Sequence, residues 1–137
     1  MVNIYAPVKE SEQNPFYENL NAYMTHNMPV LLGGDFNNVL NSARDSRSPR
    51  QAPRPMWHTR ELRKLISNYN MADVWVKLHG QTYGPTWKGG PTSSRIDRFY
   101  VTPDIADIVT FSSVENTRPN APPVSDHQCL KMKIAIP

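Results

Sequence analysis

Apolar and polar positions divide the chain into short strands and two amphipathic helices. Val30, Leu31 and Leu32 form a brief apolar run that ends in Gly33 and Gly34 and is followed at once by Asp35, Phe36 and Asn37. Such a run predicts a buried strand carrying polar groups to the rim of a sheet. On an extended backbone Asp35 and Asn37 point to one side and Phe36 to the other, into the core. The two glycines leave room for another backbone or a phosphate. A strand simply running into a turn uses the same residues. Upstream, Val2 to Tyr5 predicts a strand stopped by Pro7. Pro15, with Phe16, Leu20, Tyr23 and Met24 at spacings of three and four, predicts a helix starting at the proline. Strand, helix and strand in that order imply a right-handed crossover between parallel strands.

From Asn38 to Met56 the chain is polar, holds Pro49, Pro53 and Pro55, and predicts an exposed, mobile, basic loop. Trp57, Leu62, Leu65, Ile66 and Tyr69 then place an apolar stripe on a second helix. Met71 to Leu78 reads as a strand or an approach to one, with Asp73 and His79 as surface or capping groups. Gln81 to Trp87 and Arg95 to Thr102 predict a hairpin across Lys88 to Ser93. Pro103 to Ile108 allows one helical turn, Val109 to Val114 a strand, and Asn116 to Pro123 a loop. Leu130, Met132, Ile134 and Ile136 alternate with Lys131, Lys133 and Ala135 as in a strand with one buried side. The whole of residues 1–137 is read as one α/β domain without internal repeats.

Composition adds limits. An apolar content of 39% with no long apolar run predicts a soluble protein without a membrane span. No charged and then apolar segment follows Met1, so the expected location is intracellular. The lone Cys129 excludes an internal disulfide framework and is expected to be a buried, inert thiol. The net charge of +3 favours polyanionic partners. Between Arg44 and Lys64 the basic residues Arg44, Arg47, Arg50, Arg54, Arg60, Arg63 and Lys64 face only Asp45 and Glu61. Phosphate contacts and plain solvation of a loop and helix face explain that asymmetry equally well. Arg44, Arg47, Arg50 and Arg54 are the candidate nucleic-acid contacts.

Gly33 to Asn37 (GGDFN), Ser94 to Val101 (SRIDRFYV) and Ser125 to His127 (SDH), in that order, resemble the endonuclease/exonuclease/phosphatase superfamily. The closer match is the apurinic-type endonuclease domain of non-LTR retrotransposons. Met1 to Pro7 resembles that family's strand ending in a tyrosine, and Pro85-Thr86-Trp87 the strand before its RID segment.

Phosphodiester hydrolysis needs a nucleophilic water, positive charge at the phosphoryl oxygens and help for the leaving oxygen. Asp35 and Asn37 suit the orientation of a water. His127 suits proton transfer or donation to a phosphoryl oxygen, with Asp97 the candidate partner that fixes its tautomer. Asp126 is the candidate metal ligand or an acid beside the metal, and oxygen ligands suit Mg²⁺ or Mn²⁺. The resemblance implies the same roles for Asp35, Asn37, Asp97 and His127, places Asp126 near a metal, and gives phosphate contacts to Tyr5 and Thr86, with Ser125 beside them. It also implies DNA as the partner and, for a retrotransposon-derived protein, a nuclear location.

The resemblance covers only the second half of the family's domain, a four-layer α/β/β/α sandwich. The expected fold is therefore half of it, one mixed sheet with helices on one face. The family's principal metal-binding glutamate lies on the part without a match, so magnesium should bind weakly. The other sheet face would expose on the order of hundreds of Å² of apolar surface. A second copy in a homodimer, or a separate N-terminal half, is expected to cover it. Two functions follow: a metal-dependent DNA endonuclease or its C-terminal portion, and a non-catalytic module that binds nucleic acid or protein.

Overall fold

A computed structural model describes residues 1–49, 56–116 and 125–136. Strand β1 (Val2–Tyr5), helix α1 (Glu10–Tyr23) and strand β2 (Leu31–Asp35) form the expected unit, with β1 and β2 parallel. Strand β7 (Asp97–Val101) lies antiparallel between β2 and the short strand β4 (Ala72–Asp73), giving a mixed sheet of order β1-β2-β7-β4. Gly34 sits at φ +141°, and a Cβ there would lie 2.0 Å from the Ile4 carbonyl oxygen. The close approach expected at the glycines is therefore the β1 backbone.

Alternation along the strands gives the sheet two packed faces. Ile4, Leu32 and Tyr100 meet Tyr17 of α1 and Leu62 and Leu65 of α3 (Arg60–Asn68), which follows a 3-10 turn at Trp57–Thr59. Leu31, Phe99 and Val101 face the other way, packing with Val74 of α4 (Val74–His79), Ala106 of α5 (Pro103–Ala106), Val109 of β8 (Val109–Glu115) and Met132 of β9 (Cys129–Ile134). The antiparallel pair β8/β9 thus covers part of the face expected to be bare. At the β1 edge that face stays open, with Met1 84% and Tyr5 78% exposed.

Several expectations change. Helix α1 begins five residues before Pro15, with Glu10 and Glu12 in its first turn, where acidic groups suit the helix dipole. Pro15 and Ser11 are exposed, so water can solvate the carbonyl that the proline cannot engage. Phe16, Leu20 and Met24 are half-buried, Tyr23 is exposed, and the fully buried positions of α1 include polar Gln13 and Asn14. The segment from Met71 turns helical at Val74 because Asp73 caps it: its carboxylate accepts from the Val76 N–H at 3.5 Å, and Gly80 at φ +60° ends it.

The expected long hairpin is instead a tight one. Strands β5 (Trp87–Gly89) and β6 (Thr92–Ser94) pair with each other, and β7 departs for the main sheet. The supposed basic loop contains helix α2 (Ser42–Asp45), capped by the Asn41 side chain, and strand β3 (Ser46–Arg47), which joins β6 in a sheet of order β3-β6-β5. Cys129 is exposed rather than buried, at the start of β9. Arg50, Arg54 and most of the expected loop from Asn116 to Pro123 lie outside the described residues. Among those described, no helix is long and apolar enough to cross a membrane.

Candidate functional site

Register builds the site before any side chain is considered. Tyr5 pairs with Asp35 across β1/β2, and Asp35 pairs with Asp97 across β2/β7. Cross-strand partners share a face, so the three side chains stand in a row at one end of the sheet. His127 arrives from a separate segment through a bridge to Trp87 and meets that row.

His127 Nδ1 lies 2.7 Å from Asp97 Oδ2. A carboxylate only accepts, so Nδ1–H donates and Nε2 is left facing outward. Asp35 Oδ2 lies 3.8 Å from Nε2, and Asp126 Oδ1 3.9 Å. Burial pulls the His127 pKa down, but the hydrogen bond and charge of Asp97, aided by Asp35 and Asp126, prevail and raise it above its ordinary value. Burial raises the Asp35 pKa, and the charge of Asp97 adds to this against the Asn37 amide, His127 and Arg98. Asp35, Asp97 and His127 each offer a ligand atom, all within 4.8 Å of one another. Two adjacent carboxylates, one of them unfavourable as a lone anion, fit a divalent cation of the hard, oxygen-preferring kind.

Asn37 does not continue the strand. It adopts φ +48°, its amide donates to Asp35 Oδ1 at 2.8 Å, and its Nδ2 donates to the Ala6 carbonyl at 2.7 Å. A buried polar set holds this turn. Gln13 Nε2 donates to the carbonyls of Pro7 at 2.9 Å and Asn37 at 2.7 Å, and Gln13 Oε1 accepts from Asn38 Nδ2 at 3.1 Å. Tyr17 OH donates to the Phe36 carbonyl at 2.8 Å. Arg98, 1% exposed, donates to the Asn38 carbonyl and side chain from beneath, its guanidinium over the Phe36 and Tyr100 rings.

Thr86 departs from its expected phosphate contact. It is fully buried, and its hydroxyl accepts from the Ile96 and Asp97 amides at 3.1 and 3.0 Å. Ser125 Oγ accepts from the His127 amide at 3.1 Å and so shapes the turn before the histidine. Asp126 is exposed, and its Oδ2 accepts from Trp87 Nε1 at 2.9 Å. Tyr5 is open to solvent beside Asp35.

Arg44 departs as well, because its guanidinium grips the buried Asp45 carboxylate at 2.6 and 3.0 Å. Arg47 remains exposed and lies 4.1 Å over the Tyr83 ring. Arg95, 1% exposed, forms two bonds to Asp45 and two to Asp73, tying the three-stranded sheet to the main sheet two residues before Asp97. Asp45 and Gln13 are both fully buried, and no local sequence pattern marks either.

A model of the endonuclease/exonuclease/phosphatase family matches residues 2–127. The chain is 31% identical over 143 residues to an uncharacterized 149 kDa protein of transposon TX1 from Xenopus laevis, covering 99% of this chain and 10% of that protein. Among solved structures it resembles an AP endonuclease from Archaeoglobus fulgidus, with TM-score 0.78, 17% identity and coverage of 98% of this chain and 60% of that one. It also resembles the 3' phosphatase NExo from Neisseria, solved with a product DNA hairpin, with TM-score 0.75, 19% identity and coverage of 98% and 60%. For the endonuclease domain of the telomere-specific non-LTR retrotransposon TRAS1 the TM-score is 0.61 at 17% identity, with coverage of 93% and 54%. The chain thus spans a tenth of the transposon protein and little more than half of each structure.

Proposed function

Because the chain belongs to the endonuclease/exonuclease/phosphatase family, we propose that it is the C-terminal portion of a divalent-metal-dependent DNA endonuclease. The observation that carries this reading is the meeting of Tyr5, Asp35, Asp97 and His127 at one sheet end, drawn from three strands and a separate segment. DNA as substrate is favoured by the product DNA hairpin of the similar NExo structure and by the other two similar structures being endonucleases.

Asp35 and Asn37 orient the attacking water. Asp35 Oδ1 is engaged by the Asn37 amide, so Oδ2, on the His127 side, is the oxygen free to accept from it. Asp97 holds the Nδ1–H tautomer and favours the imidazolium, whose Nε2–H donates to a phosphoryl oxygen. Tyr5 contacts a phosphate oxygen, a role supported by its exposure beside Asp35. Asp35 and Asp97, with Asp126 nearby, would hold Mg²⁺ or Mn²⁺, which when bound neutralises phosphoryl charge. Arg47 on its tyrosine supplies a backbone contact away from the chemistry. The open sheet edge at Met1 and Tyr5 takes the part of the fold that lies outside this chain, since the similar structures are longer. A second copy is the other occupant, and sedimentation separates the two.

The test is nicking of supercoiled plasmid by the chain with Mg²⁺, alongside His127→Ala and EDTA controls. Nicking that needs both metal and His127 supports the reading. Its absence from folded protein favours a module that keeps the site and binds nucleic acid without cutting it.

A further inference from the structure

We infer that Thr86 is a positioning residue for the His127–Asp97 pair, acting through its buried hydroxyl rather than by touching phosphate. The inference rests on the reading of that pair as catalytic machinery. Between β6 and β7 the chain leaves one sheet for another at Arg95 and Ile96, and amides at such a crossing lose their ladder acceptors. The Thr86 hydroxyl replaces two of them at once, accepting from Ile96 N–H at 3.1 Å and Asp97 N–H at 3.0 Å.

The same residue holds the histidine strand. Its carbonyl accepts from the Gln128 amide at 2.6 Å, while its own amide donates to the Ser94 carbonyl at 3.0 Å. The next residues continue the clamp: Trp87 bridges His127, Trp87 Nε1 donates to Asp126 Oδ2, and the Lys88 amide donates to the Asp126 carbonyl at 3.2 Å. Asp97 and His127 lie thirty residues apart and meet at 2.7 Å. Thr86 bonds to the backbone of Asp97 and to that of Gln128, next to His127, so it sets the separation of the pair. A fully buried hydroxyl with both lone pairs committed has no access to substrate.

Thr86→Val keeps the shape and removes the acceptor, and Thr86→Ser keeps the acceptor. In the metal-free chain, nitrogen-edited NMR reads the His127 tautomer and its Nδ1–H resonance. The wild type and Thr86→Ser should show the Nδ1–H form bonded to Asp97, and Thr86→Val should lose that resonance. In nicking of a short duplex, Thr86→Val should lower kcat by roughly ten- to a hundred-fold, as outer hydrogen-bond partners typically do, with KM unchanged. In a His127→Ala background the same change should add nothing. If Thr86→Val does not fold, Thr86→Cys, whose sulfur fills the space but accepts hydrogen bonds only weakly, is read the same way. A folded variant lacking the hydroxyl that keeps the His127 resonance overturns the inference, as does a raised KM with additive loss in the His127→Ala background. An inactive wild type would sink the proposed function while the NMR comparison still decides the role of Thr86.

Discussion

Arg95→Met should cost this protein about 3 kcal/mol, because this buried arginine bridges the carboxylate of Asp45, at the end of α2 just before β3, and that of Asp73 in β4 of the main sheet. Its Nε and Nη2 bind Asp45 at 2.9 and 3.0 Å, and its Nη1 and Nη2 bind Asp73 at 3.0 and 2.6 Å. The Asp45 side chain is 0% exposed and that of Asp73 14% exposed. Removing one partner of such a buried pair costs about 3–5 kcal/mol, and the lower end applies because Arg44 still holds Asp45. An unfolding entropy of about 2 cal/mol/K per residue over 137 residues gives about 0.3 kcal/mol/K, so Tm should fall by about 10 °C. Thermal and urea unfolding at pH 7 measure it. Burial alone would raise the Asp45 pKa, but the hydrogen bonds and charges of Arg95 and Arg44 hold it below the ordinary value. For a depressed carboxyl the stabilisation is present above an unfolded pKa of about 4 and is lost as pH falls through the folded one. The gap between wild type and Arg95→Met should therefore narrow in acid. A cost under about 1 kcal/mol, or a gap unchanged in strong acid, would refute the argument that this ion network joins the sheets.

Asp35→Asn should raise the Tm of the metal-free protein while abolishing nicking. Its folded pKa is raised, so the stabilisation is present below about pH 4 and lost as pH rises through the folded value, leaving an unfavourable anion at pH 7 that the amide removes. Scanning calorimetry in EDTA checks this, and a lower Tm counts against it. The His127 pKa is also raised, so the stability of its pair with Asp97 is full below about pH 6.5 and lost as pH rises through the folded value. His127→Ala should accordingly cost more at pH 6 than at pH 9 in paired melts, and equal costs would contradict the pairing. Arg47→Ala should weaken DNA binding and reduce its salt slope by about 1. Arg44→Gln should lower Tm with little change in affinity, because that side chain serves Asp45. Binding titrations across salt separate the two arginines.

What sequence determined here is what adjacent residues decide among themselves. The run Val30 to Asp35 and the stripe Leu62, Leu65 and Ile66 carry their burial in a local period and became the elements that period predicts. The alternation from Leu130, by contrast, holds for Leu130 and Met132 only, because β9 ends at Ile134 and both Ile134 and Ile136 are exposed. The motifs around Asp35, Asp97 and His127 name segments that the fold brings together, Asp35 and Asp97 by cross-strand register and His127 by its bond to Asp97. Tertiary structure decided how buried polar atoms are satisfied. Gln13 and Asn14 fall before the helix that Pro15 predicts; the turns after β1 and β2 supply the partners of Gln13, and the Trp57 carbonyl that of Asn14. Asp45 reads as a loop charge until Arg95, fifty residues on, closes over it. Asp73 reads as a surface or capping group, and it does cap α4, but only the fold brings the same arginine to that carboxylate. Thr86 has a phosphate contact only by resemblance, and only the passage of the chain from β6 to β7, out of one sheet into the other, creates the two amides that its hydroxyl serves. Hydrophobic burial follows from a residue's own chemistry and its neighbours' spacing. A buried polar group is stable only beside a partner, and which distant segment brings that partner is a property of the assembled fold.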